Sequence, residues 1–245
     1  MDYSNYKYIL VEREGKILRL TLNRPERLNA IIPEMHTEIA NIFADVKRDQ
    51  EADVIILTGA GRGFCAGADL KEGFSTDKAG MDKTFAEARE IIVNILEVEQ
   101  PIIAAVNGPA AGLGVTLALF PDIVIASDRA KLGDTHVKVG LTAGDGGAVI
   151  WPLIVGVNKA KELLMTGEVI DAQEALRIGL VNHVVPHDEL DKKVMDMAQQ
   201  LVDGHKLAIR TTKKAVNLYI KWMLNQVFDY SSVMEYQCAM EAWTK

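Results

Sequence analysis

Three observations predict an α/β fold with a helical C-terminal region. Residues 54–57 (Val-Ile-Ile-Leu) and Ile102–Val106 are apolar without interruption, as strands buried on both faces are. Segments of helical period separate such runs through about residue 190. From Glu189 onward no strand pattern recurs.

The elements follow in order. Residues 9–13 and 17–22 alternate apolar with polar side chains around Glu14-Gly15, which predicts a β-hairpin with one buried face. After Pro33, the recurrence of Met35, Ile39, Ile42, Phe43 and Val46 predicts a helix leading into the 54–57 strand. A glycine-rich loop follows, then a helix carrying Phe85, Ile91, Ile92, Ile95 and Leu96, closed by Pro101 ahead of the next strand. Residues 123–126 read as a further strand. Asp171 with Glu174 three positions later reads as a helix N-cap with a reaching glutamate, and Gly179 stands where a C′ glycine belongs, before a strand over 181–185. Residues 190–201, 207–219 and 222–243 read as three successive helices. The organisation expected is a core over 1–190 and a helical region over 191–245.

Composition narrows the partners. The 245 residues carry a net charge of −7, which argues against a phosphate-backbone binder. The N-terminal residues have neither a basic nor an apolar leader region, and no stretch approaches the roughly 20 apolar residues of a membrane span, so a cytoplasmic protein without membrane or nucleic-acid partners is expected. Cys65 and Cys238 are far apart and indicate neither a disulfide framework nor a zinc site.

Two glycine clusters carry the chemistry. The first runs from Gly59 through Gly61, Gly63 and Gly67 and fits neither a dinucleotide fingerprint nor a phosphate-binding loop, so a structural turn is its alternative reading. The second, with Gly108, Gly112 and Gly114, lies between a strand and a helix beginning near Leu113. A helix N-terminus offers unpaired N–H groups to developing negative charge, and two such loops face to face can form an oxyanion hole.

Together these segments resemble the crotonase (enoyl-CoA hydratase/isomerase) superfamily. The resemblance is carried by residues 22–25 (Leu-Asn-Arg-Pro), Leu28-Asn29-Ala30, the 64–70 loop (Phe-Cys-Ala-Gly-Ala-Asp-Leu), Asn107-Gly108 through Asp122, and residues 178–186. It implies a spiral of ββα repeats with C-terminal oligomerisation helices, self-association as a trimer or dimer of trimers, and an oxyanion hole built from the N–H groups of Ala68 and Leu113. It also implies a thioester-binding loop around Ala66, Asp69, Leu70 and Lys71, although Lys71 alone reads as a surface lysine.

The departures bear on the reaction. By the resemblance, the two glutamates of the family's hydratases fall at Thr116 and His136, and threonine cannot serve as a carboxylate base. His136 is followed nine residues later by Asp145 in Gly-Asp-Gly, a pair in which the carboxylate can orient an imidazole. Asp145 has a competing role as a helix N-cap. The pattern is similar to the 6-oxocamphor hydrolase and β-diketone hydrolase branch, whose C-terminal glutamate falls at Glu235, otherwise a solvated helix residue. That branch's second histidine falls at Leu113.

The main expectation is therefore retro-Claisen hydrolysis of a β-diketone. Asp145 would orient His136, His136 would activate water, and the leaving enolate would rest in the Ala68–Leu113 hole. The imidazole is expected to need little tuning for this near neutral pH. No cofactor is expected, with coenzyme A possible as part of the substrate. The alternatives are an acyl-CoA hydratase or isomerase using His136, and a noncatalytic RNA-binding or scaffolding member. Trp151, Trp222 and Trp243 are read as core or interface residues, Trp151 being a candidate pocket residue, and Cys65 as a packed side chain.

Overall fold

The structure, a computed structural model, describes residues 1–73 and 77–243, with only the backbone of Trp243. The reading of Trp243 as a core or interface side chain lies outside the described residues.

Strands β1 (Ile9–Glu14) and β2 (Ile17–Leu22) form the antiparallel hairpin, turned through Gly15 at φ +56°. Three helix-to-strand steps follow: α1 (Pro33–Val46) to β3 (Val54–Gly59), α2 (Lys78–Glu97) to β4 (Ile102–Val106), and, after the short β5 (Ala110–Ala111), α3 (Leu113–Leu119) to β6 (Ile123–Ser127). The chain continues through β7 (Lys131–Gly133), α4 (Gly147–Val155), α5 (Val157–Thr166), β8 (Ile170–Asp171), α6 (Ala172–Arg177) and β9 (His183–Val185). Helices α7 (Leu190–Val202) and α8 (Lys206–Trp243) complete it.

The main sheet has the order β1-β2-β3-β4-β6-β9 and is parallel except for the hairpin, while β5, β7 and β8 form a small second sheet. Every residue of β3 and β4 is buried, because both sheet faces are covered. Ile55, Leu57 and Ala104 face the large core with α1 and α2, whereas Val54, Ile56, Ile103 and Ile125 pack against Leu190, Val194 and Ala198 of α7. Helix α7 thus belongs to the layer that covers the sheet.

Two local expectations are corrected. The helices expected over 207–219 and 222–243 are one helix of 38 residues, about 57 Å long, since Ile220 and Lys221 contain no breaker. At α6, Asp171 caps the Glu174 N–H at 2.9 Å and Gly179 adopts φ +77°, but the Glu174 side chain pairs with Arg177 at 2.6 Å instead of reaching back to the cap.

Candidate active site

The two glycine clusters interlock through backbone. The Phe64 N–H donates to the Pro109 carbonyl at 3.0 Å and the Ala111 N–H to the Cys65 carbonyl at 2.9 Å. Asn29 and Asn107 tie the first loop from below, both donating side-chain N–H groups to the Gly63 carbonyl. Gly67 and Gly112 face each other where the loops meet. Both have positive φ, +81° and +52°, and a Cβ on Gly67 would stand 2.6 Å from the Ala111 carbonyl oxygen. The next residues along the chain are Ala68 and Leu113, and among the described residues neither N–H donates to a protein acceptor. The rim between the loops thus presents two free donors, one of them at the N-terminus of α3.

This rim opens on a cavity of about 150 Å³ whose walls include Ala66, Ala68, Leu70 and Leu113, with the apolar Met81, Phe85 and Leu141. His136, Asp145 and Glu235 also line it, so the 136–145 segment and the C-terminal helix, distant in the chain, meet there. Glu235 is delivered by α8, buried among the core-facing residues of that helix.

The cluster is tightly coupled. His136 Nδ1 lies 2.7 Å from Asp134 Oδ1, while Nε2 lies 3.2 Å from Asp145 Oδ2 and 3.7 Å from Glu235 Oε1. Thr116 donates its hydroxyl to Asp145 Oδ1 at 3.0 Å. Burial alone would lower the His136 pKa, but the facing carboxylates of Asp145 and Asp134 outweigh it and raise it well above 6.5, which favours the protonated ring. Burial pushes the Asp145 carboxyl up, yet the imidazolium and the Thr116 hydroxyl hold it below its usual range. For Glu235, burial raises the pKa to about 8; the imidazolium opposes this and Asp145 and Asp134 reinforce it.

These distances revise the sequence expectations. The carboxylate on Nδ1, which fixes the ring, is Asp134. Asp145 instead lies on the side of Nε2, at 3.2 Å. The N-cap position of α4 is Gly146, at φ +117°, one residue after Asp145. Glu235, otherwise a solvated helix residue by its sequence context, is buried in the cluster. Asp134 went unrecognised, although its place two residues before His136 is the signal that could have found it.

Other expected site residues lie off the cavity. Asp69 accepts the Lys71 and Glu72 N–H groups and pairs with Arg24 Nη1 at 3.1 Å, so its carboxylate braces the loop from within. Lys71 is exposed and does not line the cavity. Thr116 is fully buried behind Asp145. Trp151 is wholly buried in the main core, and Trp222 is exposed on α8. Cys65 is packed and inert, burial pushing its thiol up to about 12. Among the described residues, no helix is long and apolar enough to cross a membrane.

Residues 12–244 match the family model for enoyl-CoA hydratase/isomerase. The chain belongs to that family. It is an enzyme of the crotonase superfamily. It is 39% identical over 215 residues to a crotonyl-CoA hydratase of Syntrophomonas wolfei, a match covering 86% of this chain and 82% of that one. It is 38% identical over 210 residues to a short-chain-enoyl-CoA hydratase of Clostridium acetobutylicum, covering 85% and 80%. Among solved structures, an enoyl-CoA hydratase/isomerase from Mycobacterium paratuberculosis superposes with a TM-score of 0.93 at 35% identity, covering 97% of this chain and 96% of that one. These similarities favour the acyl-CoA alternative over the β-diketone hydrolase expectation.

Proposed function

We propose that this family member acts on an unsaturated acyl thioester of coenzyme A and shifts a proton along the acyl chain. The observation that carries this reading is the placement of the Ala68 and Leu113 N–H groups on one cavity whose titratable groups converge on a single point, around His136 Nε2. The thioester oxygen would accept both N–H groups and gain charge as the enolate forms, which is where preorganised donors contribute most.

Glu235 is the proton carrier in this reading. Its pKa of about 8 is matched to taking and returning a proton near neutral pH, whereas Asp145 is held ionised by its partners. A proton leaves the carbon next to the carbonyl for Glu235, the double bond moves, and Glu235 returns a proton to the far end of the allylic system. The His136 cation, flanked by Asp134 and Asp145, stabilises the ionised form of Glu235 without transferring a proton. Isomerisation needs one such carrier, and Thr116 stands where a second carboxylate would serve addition of water. The names of the relatives favour a second reading, hydration of a short 2-enoyl thioester.

The test is a comparison of 3-hexenoyl-CoA isomerisation with crotonyl-CoA hydration, with a cyclic 1,3-diketone as a third substrate. Isomerisation faster than hydration is the expected result. Hydration alone would select the second reading, and diketone loss without thioester turnover would overturn both. Self-association belongs to the same proposal: Tyr219, Trp222, Tyr230 and Val233 form an exposed stripe on α8 that would pack against further copies of the chain.

A further inference from the structure

Three carboxyl groups share one imidazole at this site. Like charges brought together in a buried place separate unless packing holds them, yet Asp134, Asp145 and Glu235 all stay within reach of His136. Asp134 and Asp145 come from the same stretch of chain as the ring, whereas Glu235 arrives on α8. The segment Gly144-Asp145-Gly146-Gly147 stands among them, and each of its glycines meets a different part of the cluster.

A Cβ at Gly144 would stand 2.5 Å from Glu235 Oε2, 2.7 Å from Glu235 Cβ and 2.6 Å from the carbonyl oxygen of Ser231, one helical turn earlier on α8. A Cβ at Gly147 would overlap Asp134 Oδ2. One at Gly146 would stand 3.2 Å from Thr116 Cγ2, the side chain whose hydroxyl donates to Asp145. Of the three, only Gly146, at φ +117°, has a backbone reason to be glycine. At Gly144 and Gly147 φ lies outside the left-handed region. The local conformation there would accept alanine, which restricts the unfolded chain and ordinarily stabilises. What excludes a side chain at these positions is the approach of α8 with Glu235 in one case and of Asp134 in the other.

We infer that Gly144 is a positioning residue for the reaction: its bare backbone lets α8 come close enough to set the Glu235 carboxyl against His136, and Gly147 does the same for Asp134. This rests on the reading in which Glu235 carries the proton, and adds what holds that carrier in place. Gly144 itself does not line the cavity, so it acts through Glu235.

The test is a double-mutant cycle on the intact protein. It is read as kcat with the thioester turned over fastest, and as calorimetric affinity for hexanoyl-CoA, a saturated and unreactive probe. Gly144→Ala should lower kcat about 10²-fold, the usual effect of misplacing a reacting group by about 1 Å, and leave hexanoyl-CoA affinity within about threefold. In a Glu235→Gln background, where the carrier is already gone, Gly144→Ala should lower kcat by less than about threefold more. Gly15→Ala, in the hairpin turn at φ +56° with no atom within 4 Å of its Cβ position, is the control for a general loss of stability and should keep kcat within about twofold. Equal losses from Gly144→Ala in both backgrounds, an unchanged kcat, or an affinity that falls as far as kcat would each overturn the inference and leave the proton-carrier reading standing. Glu235→Gln at the wild-type rate, or no thioester turned over by wild type, would overturn both. Should Gly144→Ala fail to fold, Gly147→Ala decides: it should slow wild type but not Asp134→Ala, which lacks the overlapping oxygen, and equal losses in the two would overturn the inference.

Discussion

His136 Nε2 stands 3.2 Å from Asp145 Oδ2, a contact that uses the ring nitrogen a water-activating histidine would need open. With Asp134 on the other nitrogen, both ring nitrogens face carboxylates, and under the proposed function the proton carrier is the neighbour whose pKa lies near the working range, Glu235.

Removing the cation should be costly for the fold. His136→Ala leaves Asp134 and Asp145 buried and uncompensated, and urea unfolding should show a loss of about 3–5 kcal/mol. Because the folded pKa of His136 is raised, its stabilisation is fully present below pH 6.5 and is lost as pH rises through the folded value. The gap between wild type and variant should therefore narrow at alkaline pH.

Glu235 has a linkage of the same sign in a lower pH window. Its folded pKa of about 8 lies above its ordinary value of 4.5, so wild-type stability should fall between those pH values as the unfolded state alone ionises. Thermal melts of Glu235→Gln across pH 5 to 9 should show the variant gaining on wild type toward the upper end; parallel profiles would contradict the raised pKa.

The rim depends on backbone approach. Gly67→Ala places a Cβ 2.6 Å from the Ala111 carbonyl oxygen at φ +81° and must part the two loops. Misplacing one donor of the pair should lower kcat about 10²–10³-fold, whereas Lys71→Ala, off the cavity, should leave kcat within about twofold.

The exposed stripe on α8 should govern assembly. Wild type should run as a trimer or a dimer of trimers in light scattering, and Trp222→Glu with Tyr230→Glu should shift it toward monomer; an unchanged mass would remove the stripe from the interface.

Much of this fold was legible in the sequence because its signals are local. The apolar run of β3, the Asp171 cap and the two glycine loops each read from a few neighbouring residues. The continuity of α8 was harder, because its core-facing and exposed stripes both carry large apolar residues, from Leu224 and Phe228 to Trp222 and Tyr230, which blurs a single helical period. The site was legible as a set, His136, Asp145 and Glu235, but its division of labour was not. Which carboxylate faces which ring nitrogen is decided by the 3-10 turn at His136–Val139 and by Gly146, and the proton affinities follow from burial that spacing does not encode. The approach of Glu235 to Gly144 from the far end of the chain left no local trace.

The most direct test of the central claim is the pH dependence of kcat for 3-hexenoyl-CoA isomerisation by wild type and Glu235→Gln. The account predicts a wild-type rate that rises through about pH 8 as Glu235 ionises, and a variant slower by about 10²–10⁴-fold without that rise. A variant that keeps both the rate and the rise would contradict it.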